Sequence, residues 1–149
     1  MSTANTQAMN TYRSVYADAT EDATPHGLVS LLFDATRIAV HDAHVQMKLN
    51  QIAAKGAAIG KAVELIDSGL KASLDLERGG KIAEQLYSLY EYMVERLTLA
   101  NLRNDPAHLD EVGRLLAEIQ GAWRQIGPQP AAPKSGPAAR PAGGSYARA

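Results

Sequence analysis

The sequence predicts an all-α protein: an antiparallel four-helix bundle preceded by an N-terminal capping arm and followed by a disordered C-terminal tail. Three observations carry that prediction. Apolar residues recur at three- and four-residue steps through four successive stretches, and no stretch alternates with the period of two that a strand requires. Aromatic residues are only 5% of the chain, with one Trp and one Phe, so the core must be aliphatic, which suits helix-on-helix packing. The 149 residues are enough for one buried core plus flanking segments.

Residues 1–23 are polar, with Met9, Tyr12, Val15 and Tyr16 the sizeable apolar anchors, and read as an arm with one short adhesive segment. Thr24-Pro25 then supplies a capping hydroxyl followed by proline at the first helical position. Leu28, Leu31, Leu32, Ala35, Ile38, Ala39, Val45 and Leu49 share one face of the first helix. Ile52, Ile59, Ala62, Val63, Ile66, Leu70 and Leu74 mark the second, expected to stop at Arg78-Gly79-Gly80. Ile82, Leu86, Leu89, Tyr90, Met93, Leu97 and Ala100 mark the third, ending near Asn104. Asp105-Pro106 opens the fourth, striped by Leu109, Val112, Leu116, Ile119, Trp123 and Ile126. Residues 127–149 hold five of the seven prolines and no acidic residue, and bury too little to offset the entropy of ordering. The expected organisation is arm 1–23, bundle 24–127 and tail 128–149.

A formal net charge of -1 with no Lys/Arg cluster leaves nucleic acid without an electrostatic footprint. The absence of cysteine excludes a disulfide framework and thiolate metal ligation. The polar N-terminus has no signal-peptide core, and no run approaches the roughly 20 apolar residues of a membrane span, so a cytosolic protein without membrane insertion is expected.

Catalytic chemistry finds little support. His41 and His44 lie three apart on the first helix, but carboxylate-bridged bundles need Glu-x-x-His pairs, and Asp105-x-x-His108 is the only near match. Gly56 and Gly60 are spaced by three residues and Ala62 follows Lys61, which fails the phosphate-loop pattern twice. Their expected role is to let a neighbouring helix approach closely. Asp34, Glu64, Asp67, Glu84, Glu91 and Glu95 read as solvated faces. The expectation is a non-enzyme with no metal and no cofactor.

The informative feature is apolar excess. Val29, Phe33, Val40 and Met47 form a second stripe on the first helix, and Tyr87, Tyr92, Val94, Leu99 and Leu102 lie outside the main face of the third. One helix of a bundle normally buries one broad stripe. The surplus can be covered by the arm, by self-association as a homodimer, or by a partner peptide.

Taken together, these elements resemble the flagellin-specific secretion chaperone family, FliS. The resemblance rests on Thr24-Pro25-His26-Gly27-Leu28 with Leu31-Leu32-Phe33-Asp34, on Ala54-Lys55-Gly56, and on Ile66-Asp67-Ser68-Gly69-Leu70-Lys71-Ala72. It continues through Ser73 to Gly80, Leu89-Tyr90-Glu91-Tyr92-Met93, Ala100 to Asp105, Glu111-Val112 and Ala122-Trp123, spanning about residues 12–127. Lys81 and the Pro-rich tail depart from the pattern. The resemblance implies a bundle capped by its arm that binds the disordered C-terminal segment of flagellin. It further implies docking on the cytoplasmic domain of the flagellar export gate, and in some members binding to an anti-sigma factor or another flagellin regulator. Tyr12, Val15 and Tyr16 are then expected to form a movable cover. Val29, Phe33, Val40 and Met47 are expected to line one cargo groove, and Tyr87, Tyr90 and Val94 another. On that reading Phe33→Asp weakens binding and leaves helicity intact.

Overall fold

A computed structural model describes residues 24–126; the arm, the tail and with them Tyr12, Val15 and Tyr16 lie outside the described residues. The described chain forms four helices and no strand: α1 Pro25–Lys48, α2 Ile52–Glu64 continued by a π-helical run Leu65–Lys71, α3 Leu76–Arg103, and α4 Pro106–Ile126. Short links make successive helices antiparallel, and α1 packs on both α2 and α4 while α3 packs on both as well.

The helix ends follow from local chemistry. Thr24 Oγ1 accepts from the Gly27 amide at 3.0 Å, and Asp105 Oδ1 accepts from the Ala107 amide at 3.0 Å, so both Thr/Asp-Pro pairs start helices as expected. Asn50 (φ 57°) and Asn104 (φ 54°) take the left-handed conformation where α1 and α3 stop. After α1 the Gln51 amide reaches back to the Gln46 carbonyl at 2.9 Å and the Asn50 amide to Met47 at 3.1 Å, closing the orphan carbonyls of the last turn.

The second helix ends earlier than its periodicity suggests. Its ladder widens to π geometry at Leu65–Lys71, and the inserted residue turns Leu65, Ile66, Gly69 and Leu70 all inward. Asp75 then caps a new turn, its carboxylate accepting from the Arg78 amide at 3.0 Å. The paired glycines sit inside α3 instead of terminating α2. Gly80 (φ 57°, ψ −135°) kinks it in a conformation that side chains disfavour. Gly79 is confined for another reason: a Cβ there would stand 2.6 Å from the Ala83 Cβ. Gly56 and Gly60 do not mediate close approach, since a Cβ at Gly60 meets nothing within 4 Å and one at Gly56 only Asn101 Oδ1 at 4.0 Å.

The core joins Leu32, Phe33, Val40 and Met47 of α1 to Ile59, Leu65, Ile66 and Leu70, to Tyr90, Met93 and Leu97 of α3, and to Leu109, Val112 and Leu116 of α4. This corrects the face assigned to α1. Phe33 is 1% exposed, Val40 5% and Met47 6%, whereas Ile38 and Leu49, assigned to the core from their spacing, are 69% and 59% exposed. The buried stripe has Leu32, Thr36, Ala39 and Ala43 on one side and Phe33, Val40 and Met47 on the other. At 100° per residue, Ile38 falls roughly 160° from the middle of that stripe. Thr36 adds no unmet polar group, because its hydroxyl donates to the Leu32 carbonyl at 2.7 Å.

Candidate partner-binding surface

Polar side chains, two of them buried, tie the helices to one another. Where α1 begins and α4 ends, the Trp123 indole donates to the His26 carbonyl at 3.1 Å and His26 Nε2 donates to the Trp123 carbonyl at 2.8 Å. The two rings stack with centroids 4.6 Å apart and planes 7° from parallel. Two turns further along α1, the fully buried Gln120 donates to Asp34 Oδ1 at 2.7 Å and accepts from Arg37 at 2.7 Å. Beyond that, His44 Nε2 lies 3.1 Å from Asp110. At the same end as that pair, Lys55 (3% exposed) sends its ammonium to the Asn101 carbonyl at 3.2 Å and Asn104 Oδ1 at 2.9 Å. A cation at the C-terminal end of α3 is favoured by the helix dipole and answers the last carbonyls.

A second polar cluster joins α3 to α4. Arg96 donates to His108 Nδ1 at 2.7 Å, leaving Nε2 to face Asp105 at 3.6 Å, and its other edge lies 3.2 Å from Glu111. Tyr92 donates its hydroxyl to the same Glu111 carboxylate, and Arg96 covers its ring at 5.5 Å. That hydrogen bond, ahead of partial burial, raises the Tyr92 pKa.

Two grooves flank α1, whose exposed side chains beyond its first turn are polar apart from Ile38: Asp34, Arg37, His41, Asp42 and Lys48. A groove of about 360 Å³ lies between α1 and α2, with Ala35, Ala39, Val45 and Ala58 in its walls, Ile38 on its rim and His41, Asp42 and Lys61 at its polar edge. A smaller one of about 260 Å³ lies between α1 and α4, with Val40 and Leu109 in its walls and Arg37, His44 and Asp110 around it. His41 borders both.

The structure redistributes the residues expected to line grooves. Phe33 and Met47 are core, Val29 is half-buried against it, and Val40 alone reaches a groove wall. On α3, Val94 is half-buried against the core and Tyr90 is 3% exposed, its phenol pushed up to about 12 by burial. Tyr87 is half-buried under the Lys71 ammonium, 5.0 Å from its ring centroid. Burial alone would lower the Lys71 pKa, but the hydrogen bond and charge of Asp67, with Tyr87 and Glu91, raise it. Ile38 and Val45 border the larger groove although their spacing suggested core. The available signal was the run of small residues at 36, 39 and 43, all of which lie on the buried face. Among the described residues no group of three or more His, Asp or Glu is placed to hold a metal, and no helix is long and apolar enough to cross a membrane.

The fold and surface define a small helical-bundle protein with polar-tied seams and apolar grooves along its first helix. Residues 8–130 match the family described as flagellar protein FliS, and the chain belongs to that family. It is 47% identical over 111 residues to the flagellar secretion chaperone FliS of Salmonella typhimurium, covering 74% of this chain and 82% of that one. It is 44% identical over 121 residues to FliSB of Pseudomonas aeruginosa (80% and 95% covered) and 25% identical over 116 residues to FliS of Bacillus subtilis (78% and 85% covered).

Proposed function

We propose that this protein is a cytosolic flagellar export chaperone. It binds the disordered C-terminal segment of flagellin, keeps the subunit unpolymerised and delivers it to the cytoplasmic domain of the export gate. Family membership and the relatives' names as flagellar secretion chaperones support the general role. The observation that carries a binding role is the apolar groove beside α1, with Ile38 69% exposed on its rim. A solvated isoleucine above a furrow walled by alanine and valine suits an amphipathic segment laid along the bundle. Such a segment loses conformational entropy on binding, which keeps affinity moderate for its buried area and suits a cargo that must be released. Tyr12, Val15 and Tyr16 act as a cover over a groove that cargo displaces, and an anti-sigma factor is a candidate second partner.

Calorimetry with the C-terminal segment of flagellin from the same organism, and the N-terminal segment as control, tests this reading. One-to-one binding of the C-terminal segment alone is expected. Ile38→Asp should weaken it at least tenfold with little change in thermal midpoint, since the side chain is solvated. Absence of binding to either segment overturns the cargo assignment, and unchanged binding by Ile38→Asp moves the site off the α1–α2 groove.

A further inference from the structure

The corner where α3 turns into α4 holds two buried donors that lack a partner. Among the described residues, Arg96 Nε and His108 Nε2 are buried and make no hydrogen bond. Each has a carboxylate close by. Arg96 Nε lies 3.2 Å from Glu111 Oε1 without the alignment of a hydrogen bond, and His108 Nε2 lies 3.6 Å from Asp105 Oδ2. The two side chains are bonded to each other instead, Arg96 Nη2 donating to His108 Nδ1 at 2.7 Å. A guanidinium has only donors, so Nδ1 carries its lone pair and the single ring proton sits on Nε2. Buried donors are rarely left unpaired, and two at one corner call for a reason.

We propose that His108 is a proton-operated exchange point between α3 and α4. When Nδ1 takes a proton from solvent, a donor faces a donor and a cation faces a cation, and the bond from Arg96 breaks. The imidazolium then closes on Asp105 through Nε2–H, and the freed guanidinium turns so that its Nε donates to Glu111. Both buried donors thereby gain charge-assisted bonds, which are shorter and stronger than neutral ones. The receiving oxygens are in place. Asp105 spends Oδ1 on the Ala107 amide, and Oδ2 is the oxygen that faces the ring. Tyr92 donates to Glu111 Oε2, which leaves Oε1 beside Arg96. The other charged groups around this corner are engaged or solvated. Lys55 of α2 bonds to Asn101 and Asn104, His44 of α1 pairs with Asp110 on the α1 flank of α4, and Arg103 is exposed on the last turn of α3. Because Asp105 keeps its bond to Ala107, the exchange changes which side chain α3 holds and not where α4 begins.

Histidine changes charge between about pH 8 and pH 5, above the ordinary carboxylate range, so heteronuclear NMR of the full-length chain across that span isolates the event. At the alkaline end the His108 ring should show a lone pair at Nδ1 and its proton at Nε2. As the ring titrates, the Arg96 Nε–H proton should move downfield with the same midpoint. His108→Gln, which can hydrogen-bond but takes no proton in this span, should leave the Arg96 signal flat. His44→Gln, on the other flank of α4, should leave the Arg96 response unchanged. A neutral ring with its proton on Nδ1 overturns the proposal, as does a ring that stays uncharged to the acid end. An Arg96 signal that ignores the His108 midpoint, that still shifts in His108→Gln, or that falls silent in His44→Gln overturns it as well. The measurement needs no flagellin, so its outcome is separate from that of the cargo assignment.

Discussion

The two seams that α1 makes with its neighbours are built from different materials. Against α4 it is tied at three heights by directional bonds: His26 with Trp123, Asp34 and Arg37 with Gln120, and His44 with Asp110. Towards α2 the buried positions are small and apolar, Ala39 and Ala43 on one helix and Ala58 and Ala62 on the other, with the larger groove above them. Directional bonds specify one register, because a shifted helix would leave a buried amide unpaired at a cost of a few kcal/mol. Alanine packing specifies closeness and leaves neighbouring surface open. Directional bonds thus tie the α4 flank of α1 around a smaller groove, while small-residue packing leaves the wider one on the α2 flank.

The largest effect should come from the stripe that faces both seams. Phe33→Asp puts an unpaired carboxylate at a 1% exposed position and should cost about 4 kcal/mol or more, collapsing helicity by circular dichroism. This reverses the expectation drawn from spacing, and a folded, merely non-binding variant would restore the groove assignment for that face. A control away from both seams is Tyr90, whose phenol is raised by burial from 10.0 to about 12. A raised pKa means the neutral form is favoured by folding, so its stabilisation is complete below pH 10 and lost as pH rises towards 12. The loss is on the order of 2–3 kcal/mol. Tyr90→Phe should flatten that alkaline limb in denaturant titrations, and an unchanged limb would assign it to other groups. Gln120→Ala should cost about 2 kcal/mol by emptying a fully buried position and removing two hydrogen bonds, its solvated partners Asp34 and Arg37 turning to water. Combining it with Asp34→Ala should be less than additive, and strict additivity would mean that the polar seam does not act as a unit. The smallest change is a gain. Gly60→Ala, in open space on α2, should raise stability by about 0.5–1 kcal/mol without touching either seam.

What could be read from the chain follows from how local the determining physics is. Thr24-Pro25, Asp105-Pro106 and Asn104 act within a few residues, and each begins or ends a helix as expected. The π-helical run could not be read, because widening the ladder at Leu65 depends on what Leu65, Ile66 and Leu70 pack against. The face of α1 failed for the same reason. Apolar side chains occur nearly all round that helix, and only the positions of α2 and α4 decide that Phe33 is inside and Ile38 outside. The resemblance to the family placed His26 and Trp123, or Lys55 and Asn104, in one ordered set of motifs. That they touch was legible only in three dimensions.

Lys55 gives the molecule a built-in chemical timer. Amine-directed reagents attack lysines that water can reach, such as Lys48 and Lys81, while Lys55 is shielded at 3% exposure behind Asn101 and Asn104. Its acylation in a pulse experiment can proceed only when the start of α2 parts from the end of α3. The mass added at that one site then counts how often this end of the bundle opens, in the native protein and without denaturant.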